Sequence, residues 1–309
     1  MNKRDYYKLI TGSAAALLVM LVSATSIVAQ DAYLTEEFGV SNNVKVEVKT
    51  SGGSIEVVGE NSDEVRVEMY VRKRGKYIDP DEADLKDWEI TIEKSGNTVS
   101  AIAKREGRNR WRSDNYSISF KVYTPANAVT DLRTSGGSIS LENLNGTQYA
   151  KTSGGSIKAE SIGGDVELKT SGGAITINEI EGSVDANTSG GRIRAEDISG
   201  GITAKTSGGS ITLAGISGNV EAKTSGGSIN VEVLNPDNYI ELRTSGGSIS
   251  VTIPKDQGYD IDLDGNRVRA DLENFRGAYE KDEIEGTLNG GGTKLTAKTS
   301  GGSVNLKYL

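Results

Sequence analysis

Apolar and polar residues alternate along this chain in short runs that return every 18 residues. The unit that begins at Thr152 reads TSGGSIKAESIGGDVELK, and the three units that follow keep apolar residues at positions 6, 8, 11, 15 and 17. Positions 6 and 8 alternate with polar neighbours, as do 15 and 17, which is typical of short strands with one buried face. Glycine at positions 3, 4 and 13 allows tight corners. Each unit therefore predicts two strands and two corners.

The tetrapeptide Thr-Ser-Gly-Gly that opens each unit occurs nine times in the chain. Its copies begin at Thr50, Thr134, Thr152, Thr170, Thr188, Thr206, Thr224, Thr244 and Thr299. A strict short period is typical of one supersecondary unit stacked on copies of itself. Because the two strands recur in the same order, equivalent strands are expected to pair in parallel, about 4.8 Å apart. We therefore predict an all-β fold, a parallel β-helix or β-solenoid with coils of about 18 residues.

The period divides the chain into four segments. These are a signal peptide (1–30), irregular N-terminal β coils with inserted loops (31–133), the regular β-solenoid (134–253) and C-terminal capping coils (254–309). Capping coils are expected at the end because terminal coils of a solenoid close the core and block strand pairing between molecules.

Three local patterns stand out in the irregular N-terminal coils. Residues 75–88, with Pro80 and a cluster of acids, predict one short helix. Residues 89–104 predict a hairpin that turns at Ser95-Gly-Asn97, and Tyr116 to Tyr123 alternates as a strand does.

The N-terminus has the pattern of a secretory signal. Lys3, Arg4 and Lys8 precede an apolar or small stretch from Leu9 to Val28. We therefore expect an extracytoplasmic protein, located in the periplasm, on the cell surface or in the medium, with no stable membrane span once the signal is cleaved. A retained anchor is the alternative, because the apolar stretch is nearly long enough to cross a bilayer.

The composition of the chain excludes several classes of function. The chain contains no cysteine, so an exported form is held together without disulfides, and it contains no histidine, which excludes imidazole acid–base chemistry. The formal charge is −8, and removal of the signal segment leaves a more acidic chain, which argues against nucleic acid as a partner. We expect no enzyme activity and no cofactor.

Several repeated features have a structural explanation. Acids at position 16 and lysines at position 18 would form adjacent rows that neutralise each other on an outer face. The Thr-Ser-Gly-Gly corners lack the following helix and lysine of a phosphate-binding loop. The run Asp260-Ile-Asp-Leu-Asp264-Gly265 resembles the start of a calcium loop, but Asp271 stands at its twelfth position and the alternation fits a strand. We expect no metal site.

Two basic clusters are the least explained feature of the sequence. We predict a ligand-binding site formed by Arg72, Arg74, Arg108, Arg110, Trp111 and Arg112. Arginine beside an exposed tryptophan suits acidic glycans, lipid phosphates or peptide carboxylates. The alternative is that these cations pair with the acidic run Asp79, Asp81, Glu82, Asp84 and Asp87.

The chain resembles the bacterial putative-adhesin family of secreted β-strand-repeat proteins, a domain of unknown function. The resemblance rests on the recurrent TSGGSI turns, on the strand-to-proline transitions that end at Pro125 and Pro254, and on the closing segment Gly290 to Val304. It covers residues 40–309 and implies a secreted right-handed β-helix, with no catalytic residues.

We therefore expect a non-enzymatic, secreted cell-envelope β-solenoid that acts as an adhesin or as a structural or binding protein. Its partner would be a glycan, an envelope component or another protein. One alternative is a polysaccharide-active β-helix enzyme with a carboxylate pair near residues 79–115 or 255–285. Another is a self-assembling filament protein similar to the bactofilins.

Overall fold

The computed structural model describes residues 31–80, 83, 85–105 and 116–309, and this part of the chain is all-β. None of the described residues forms a helix that could span a bilayer. The described residues form 26 strands. They are β1 (Leu34–Gly39), β2 (Val44–Thr50), β3 (Ile55–Glu60), β4 (Glu64–Lys73), β5 (Lys76–Tyr77), β6 (Trp88–Ser95), β7 (Thr98–Arg105), β8 (Tyr116–Pro125), β9 (Ala128–Thr134), β10 (Ile139–Asn145), β11 (Gln148–Lys151), β12 (Ile157–Gly163), β13 (Val166–Lys169), β14 (Ile175–Glu181), β15 (Val184–Asn187), β16 (Ile193–Ser199), β17 (Ile202–Lys205), β18 (Ile211–Lys223), β19 (Ile229–Thr244), β20 (Ile249–Ile253), β21 (Tyr259–Asp264), β22 (Arg267–Ala270), β23 (Arg276–Tyr279), β24 (Glu283–Leu288), β25 (Thr293–Thr299) and β26 (Ser303–Tyr308).

Equivalent strands of successive units lie side by side, parallel and in register. Ile157 pairs with Ile175, which pairs with Ile193. Val166 pairs in the same way with Val184. One unit is therefore one full turn of the backbone, which confirms the predicted parallel β-solenoid.

The parallel strands form two rows. The first row runs β8, β3, β10, β12, β14, β16, β18, β19, β20, β26 and β22. The second row runs β7, β2, β9, β11, β13, β15, β17, β18, β19, β25 and β21. The strands β18 and β19 are long enough to turn the corner and contribute to both rows.

The first-row strands of the array bend at position 10 of each unit. Ser161, Glu179 and Asp197 have φ angles of 54°, 56° and 55° there. A residue in this left-handed conformation shifts the alternation by one, so position 11 rather than position 10 faces inward. Ile162 and Ile180 are accordingly buried. The alternation at positions 6 and 8 predicted the strand but not its continuation past the bend.

Inward side chains of both rows meet in one core of Ile, Val, Leu and Ala. In the coil that begins at Thr152, the buried residues are Ile157, Ala159, Ile162, Val166 and Leu168. Burial of each large aliphatic side chain contributes about 1.5–3 kcal/mol, which has to offset the conformational entropy lost by the ordered coil. A coil is therefore stable only between neighbours.

The threonine of each Thr-Ser-Gly-Gly corner joins two coils. The Thr170 hydroxyl donates to the Gly155 carbonyl at 2.8 Å and accepts from the Gly173 amide at 3.3 Å. The same bridge recurs at Thr134, Thr152, Thr188, Thr206, Thr224, Thr244 and Thr299. A Cβ on Gly173 would lie 1.9 Å from the Gly155 carbonyl oxygen. The tetrapeptide is thus a structural corner, as the sequence indicated.

The outermost coils are not the first and last coils of the sequence. At one end, β7 and β8 stack outside β2 and β3, and at the other, β21 and β22 stack outside β25 and β26. Antiparallel strands then follow. At the first end, β4 pairs with β8, β1 pairs with β4, and β6 pairs with β7. At the other end, β24 pairs with β21 and β23 pairs with β24. At both ends, an inserted segment supplies the outermost coil.

The short helix predicted for residues 75–88 is wrong for the part of this range that the structure describes. Arg74 and Gly75, with φ angles of 50° and 81°, instead form a tight turn. β5 then folds back on β4, and Tyr77 packs edge-to-face against Tyr70. The predicted hairpin is confirmed, because β6 and β7 pair antiparallel around Gly96. The strand predicted from Tyr116 onward is also confirmed, as β8.

Candidate functional site

Alternating side chains of β4 face away from the core at the N-terminal end of the first row. Val65, Val67, Met69 and Val71 point inward and are buried. The tyrosine–cation face consists of outward side chains of β3, β4, β5 and β8, namely Glu56, Arg66, Glu68, Tyr70, Arg72, Tyr77, Lys121 and Tyr123. Four strands therefore build one continuous outer surface.

Cations on this face lie over tyrosine rings, and for both arginines the ring belongs to the neighbouring strand. The Arg66 guanidinium carbon is 4.1 Å from the centre of the Tyr123 ring, and the Arg72 guanidinium carbon is 4.1 Å from that of Tyr77. Lys121 Nζ is 5.0 Å from the centre of the Tyr123 ring. Both arginines stand directly opposite their tyrosines in the strand register. Such cross-strand pairs fix the side chains in place, because the cation is attracted to the ring face.

A hydrogen bond and a ring contact hold Tyr70 in place on this face. The Tyr70 hydroxyl donates to Glu68 Oε2 at 2.8 Å, and the ring centres of Tyr70 and Tyr77 are 6.0 Å apart. Burial, followed by the hydrogen bond to Glu68, raises the pKa of Tyr70 to about 12. Tyr70 therefore stays protonated and able to donate at neutral pH.

Lys121 is held as a cation in the middle of the face. Its Nζ lies 3.0 Å from Glu56 Oε1. Hydrogen bonds with Tyr123 and Glu56 raise the pKa of Lys121 above its ordinary value. The lysine therefore remains charged, and Glu56 balances that charge.

Acidic and basic groups are interleaved across this surface. Glu68 Oε1 lies 3.3 Å from Arg66 Nε, and β1 places Glu37 opposite Arg66 in the register. The Arg72 guanidinium donates to the Tyr77 hydroxyl, while its Nε is buried without a hydrogen-bond partner among the described residues. The face thus offers both donors and acceptors, and it is not a purely cationic patch.

The structure describes two of the six residues predicted for a binding site. Arg72 lies on the tyrosine–cation face, and Arg74 lies in the adjoining turn between β4 and β5. The Arg74 side chain is exposed and, in the described part of the chain, has no ion-pair or hydrogen-bond partner. The other four, Arg108, Arg110, Trp111 and Arg112, lie outside the described residues.

Sequence reasoning missed the tyrosines, Arg66 and Lys121. The signal was the alternation along β4, which places Arg66, Tyr70 and Arg72 on one side of the strand. The predicted alternative partners of the arginines include Asp79 and Asp87, and neither pairs with Arg72 or Arg74 within the described residues. The remaining acids of that run, Asp81, Glu82 and Asp84, lie outside the described residues.

The outer side of the second row carries the predicted rows of acids and bases. Lys169 pairs with Glu167 in the same strand. Glu221 pairs with Lys223 at 2.8 Å and, across the coils, with Lys205 at 3.0 Å. These ion pairs support the interpretation that the rows neutralise each other and keep the face soluble.

A shallow groove of about 570 Å³ follows the bend of the first row. Its lining includes Ser161, Glu179, Asp197 and Gly215, which all occupy position 10 of successive units. The groove is therefore a consequence of the repeated bend.

The aspartates that resemble a calcium loop lie along a strand, as the alternation predicted. Asp260, Asp262 and Asp264 face outward on β21, beside Glu283 and Glu285 of β24. Lys298 Nζ lies 2.7 Å from Asp262 Oδ2. Among the described residues, no group of three or more acidic side chains is arranged to hold a metal ion.

The strand register defines the protein as a parallel β-solenoid with antiparallel strands at both ends. A family model described as Toastrack DUF4097 matches residues 33–307, and the chain belongs to this family. The resemblance to adhesin-like β-strand-repeat proteins of unknown function is thereby confirmed.

Two solved structures with low sequence identity to this chain are similar to it. One is of a putative adhesin from Bacteroides fragilis, with 11% identity, a TM-score of 0.40, and coverage of 89% of this chain and 96% of that one. Another is of a putative cell adhesion protein from Clostridium sporogenes, with 13% identity, a TM-score of 0.23, and coverage of 89% and 99%. No curated protein matches the sequence. At these TM-scores, the similarities do not bear on function.

Proposed function

We propose that this protein is an exported, non-enzymatic cell-envelope protein of adhesin type that binds its partner through the tyrosine–cation face. The observation that carries the proposal is the change in outer-surface chemistry along the solenoid. Acids and bases neutralise each other on the second row, whereas tyrosines and cations from three strands, β4, β5 and β8, are grouped at the N-terminal end of the first row. Tyrosine and arginine are enriched where proteins bind partners.

A binding role fits the physical state of these side chains. Each arginine and its tyrosine are already fixed by the strand register and by their mutual contact. Binding therefore immobilises little further side-chain motion, and preorganisation of this kind favours affinity. Tyr77 is 38% exposed, so its ring also has area to offer a partner.

The N-terminal sequence supports the export of this protein. Lys3, Arg4 and Lys8, followed by the apolar stretch from Leu9 to Val28, are the features that support it. Mass measurement of the mature N-terminus and fractionation of the producing cells test this part. We expect a cleaved chain outside the cytoplasm, and an intact chain that stays in the cytosol would contradict it.

The binding part is tested with the chain from residue 31 onward and with envelope material isolated from the producing cells. The double variant Arg72→Ala/Tyr77→Ala removes one cation–tyrosine pair from the face. We expect binding to weaken about tenfold or more, as for a central interface pair. Turnover of an envelope polysaccharide by the unaltered protein would overturn the non-enzymatic role.

A matched control exists on the other side of the solenoid. The Arg133 guanidinium carbon lies 4.9 Å from the centre of the Tyr149 ring on the second row. The double variant Arg133→Ala/Tyr149→Ala therefore removes the same two residue types, and we expect it to bind normally. Equal binding by all three proteins, or equal loss in both variants, would remove the tyrosine–cation face from the proposal.

A further inference from the structure

The chemistry of the tyrosine–cation face narrows the class of ligand. We propose that it binds a linear, hydroxyl-rich polysaccharide of low charge density, which lies along β4. This inference rests on the proposed function for the place of binding, and goes beyond it in naming the chemistry of the partner.

The shape of the face favours an extended ligand. Arg66, Glu68, Tyr70 and Arg72 follow one another on the same side of a single strand. Arg72 comes six positions after Arg66, which corresponds to about 20 Å of strand. Tyr123 flanks one end of this line and Tyr77 the other. A chain of several sugar rings can contact all of these residues at once, whereas a compact ligand would leave most of them unused.

The tyrosines supply what a sugar ring needs from a protein surface. Tyr77 is 38% exposed, and the rings of Tyr70 and Tyr123 are partly exposed. An aromatic ring buries the apolar C–H side of a sugar at low entropic cost, because only two side-chain torsions are fixed. The phenolic hydroxyl can in addition donate to, or accept from, a sugar hydroxyl.

The carboxylates on the face argue against a densely anionic ligand. Glu68 lies between Arg66 and Tyr70 on the strand, Glu56 pairs with Lys121, and Glu37 stands opposite Arg66. A polyphosphate would bring many negative charges against these three acids, and like charges at such short range destabilise a complex. Sugar hydroxyls both donate and accept, so they can use the carboxylates as acceptors and the guanidinium groups as donors.

Salt dependence separates this ligand class from the others. The chain from residue 31 onward is titrated with a neutral polysaccharide panel (dextran, xylan and laminarin), with heparin and inorganic polyphosphate, and with vesicles of anionic phospholipid. We expect binding to at least one neutral polysaccharide, with affinity that changes less than about threefold from low to high salt, because few counterions are released. Preferred binding of heparin or polyphosphate with a steep loss in salt, or preferred binding of vesicles, would overturn the proposal.

Three single variants test whether stacking or charge provides the affinity for the polysaccharide. Tyr77→Ala should weaken polysaccharide binding about tenfold, Tyr77→Phe should keep most of it, and Lys121→Gln should change it less than about threefold, since stacking rather than charge provides the affinity. A tenfold loss in Lys121→Gln together with an unaffected Tyr77→Ala would contradict the inference. Unchanged circular dichroism of all variants shows that the solenoid is intact.

Failure of the inference is distinguishable from failure of the proposed function. If Arg72→Ala/Tyr77→Ala loses envelope binding but no polysaccharide binds, the face is a binding site for another class of partner and only the ligand assignment is overturned. If the variant keeps envelope binding, the face is not the site, and both proposals are overturned.

Discussion

The regular coils between residues 134 and 253 and the N-terminal coils around β4 and β8 belong to one continuous sheet but use their outer surfaces differently. In the regular coils, the outward residues of the second row repeat and neutralise one another, as Glu221 does with Lys205 and Lys223. In the N-terminal coils, the outward residues do not repeat, and Arg66 and Arg72 meet tyrosines instead.

This difference separates the residues that the fold requires from those that are available for binding. A residue that recurs in every coil is explained by the stack, because each copy meets an equivalent environment. Thr170 and Gly173 are of this kind. A residue that departs from the repeat at an exposed position is not needed by the stack, so the tyrosines of the N-terminal coils call for another explanation. We therefore expect mutation of a repeated residue to lower the stability of the fold, and mutation of an N-terminal tyrosine to lower binding instead.

The corner glycines of the array should give the largest loss of stability. A Cβ on Gly173 would lie 1.9 Å from the Gly155 carbonyl oxygen, whereas one on Gly172 would find its nearest neighbours at 3.7 Å. We expect Gly173→Ala to lower the free energy of unfolding by about 3 kcal/mol or more, because backbone atoms cannot move aside as side chains do. Urea denaturation followed by circular dichroism measures this.

Gly172→Ala is the matched control for this prediction. It adds the same methyl group one residue earlier, in ordinary van der Waals contact. We expect a change within about 0.5 kcal/mol, typical of an exposed position. Similar losses in both variants would mean that the coils are not stacked as closely as the structure shows.

The threonine that bridges two coils should have an intermediate effect. Thr170→Val keeps the shape of the side chain but removes the hydroxyl that contacts Gly155 and Gly173. We expect a loss of about 1–3 kcal/mol, because a partly buried carbonyl and a partly buried amide lose a partner. Ser171→Ala, at the exposed next position, should be nearly neutral in the same denaturation experiment. A neutral Thr170→Val would show that the bridge adds nothing to the stack.

Much of the array could be predicted because its environment repeats with its sequence. The alignment of Ile157 with Ile175 follows from the period alone. The bend at position 10 was harder to predict from the sequence, because Ser161, Glu179 and Asp197 differ in residue type and share only a backbone conformation. The sequence indicates the bend only at Asn143 and Gly215, which occupy equivalent positions and are of residue types that tolerate positive φ.

The candidate site could be predicted only in part because the period gives no information outside the array. Basic residues near Arg72 were visible in the sequence, but their partners depend on how β4 meets β5 and β8. The antiparallel register that brings Arg66 to Tyr123 is a long-range contact that no local pattern encodes. The stacking of β7 and β8 outside β2 and β3 was not predictable for the same reason.

The charged rows of the array should give the smallest effect, and one that depends on pH. Hydrogen bonds from Lys223 lower the pKa of Glu221 below its ordinary value, with a further contribution from Lys205. A lowered pKa in the folded state means that the carboxylate stabilises the protein above the pKa of the unfolded chain, and that this stabilisation is lost as the pH falls through the folded pKa.

We therefore expect Glu221→Gln to lose up to about 1 kcal/mol at neutral pH, the usual upper range for surface pairs. The difference from the unaltered protein should shrink as the pH falls below the ordinary carboxyl range, and in high salt. Glu232→Gln is the control, because the exposed Glu232 has no ion-pair partner among the described residues. Denaturation curves across the acidic range measure both variants. A difference that persists unchanged in acid would mean that Glu221 acts through packing, and that the rows of the array do more than neutralise each other.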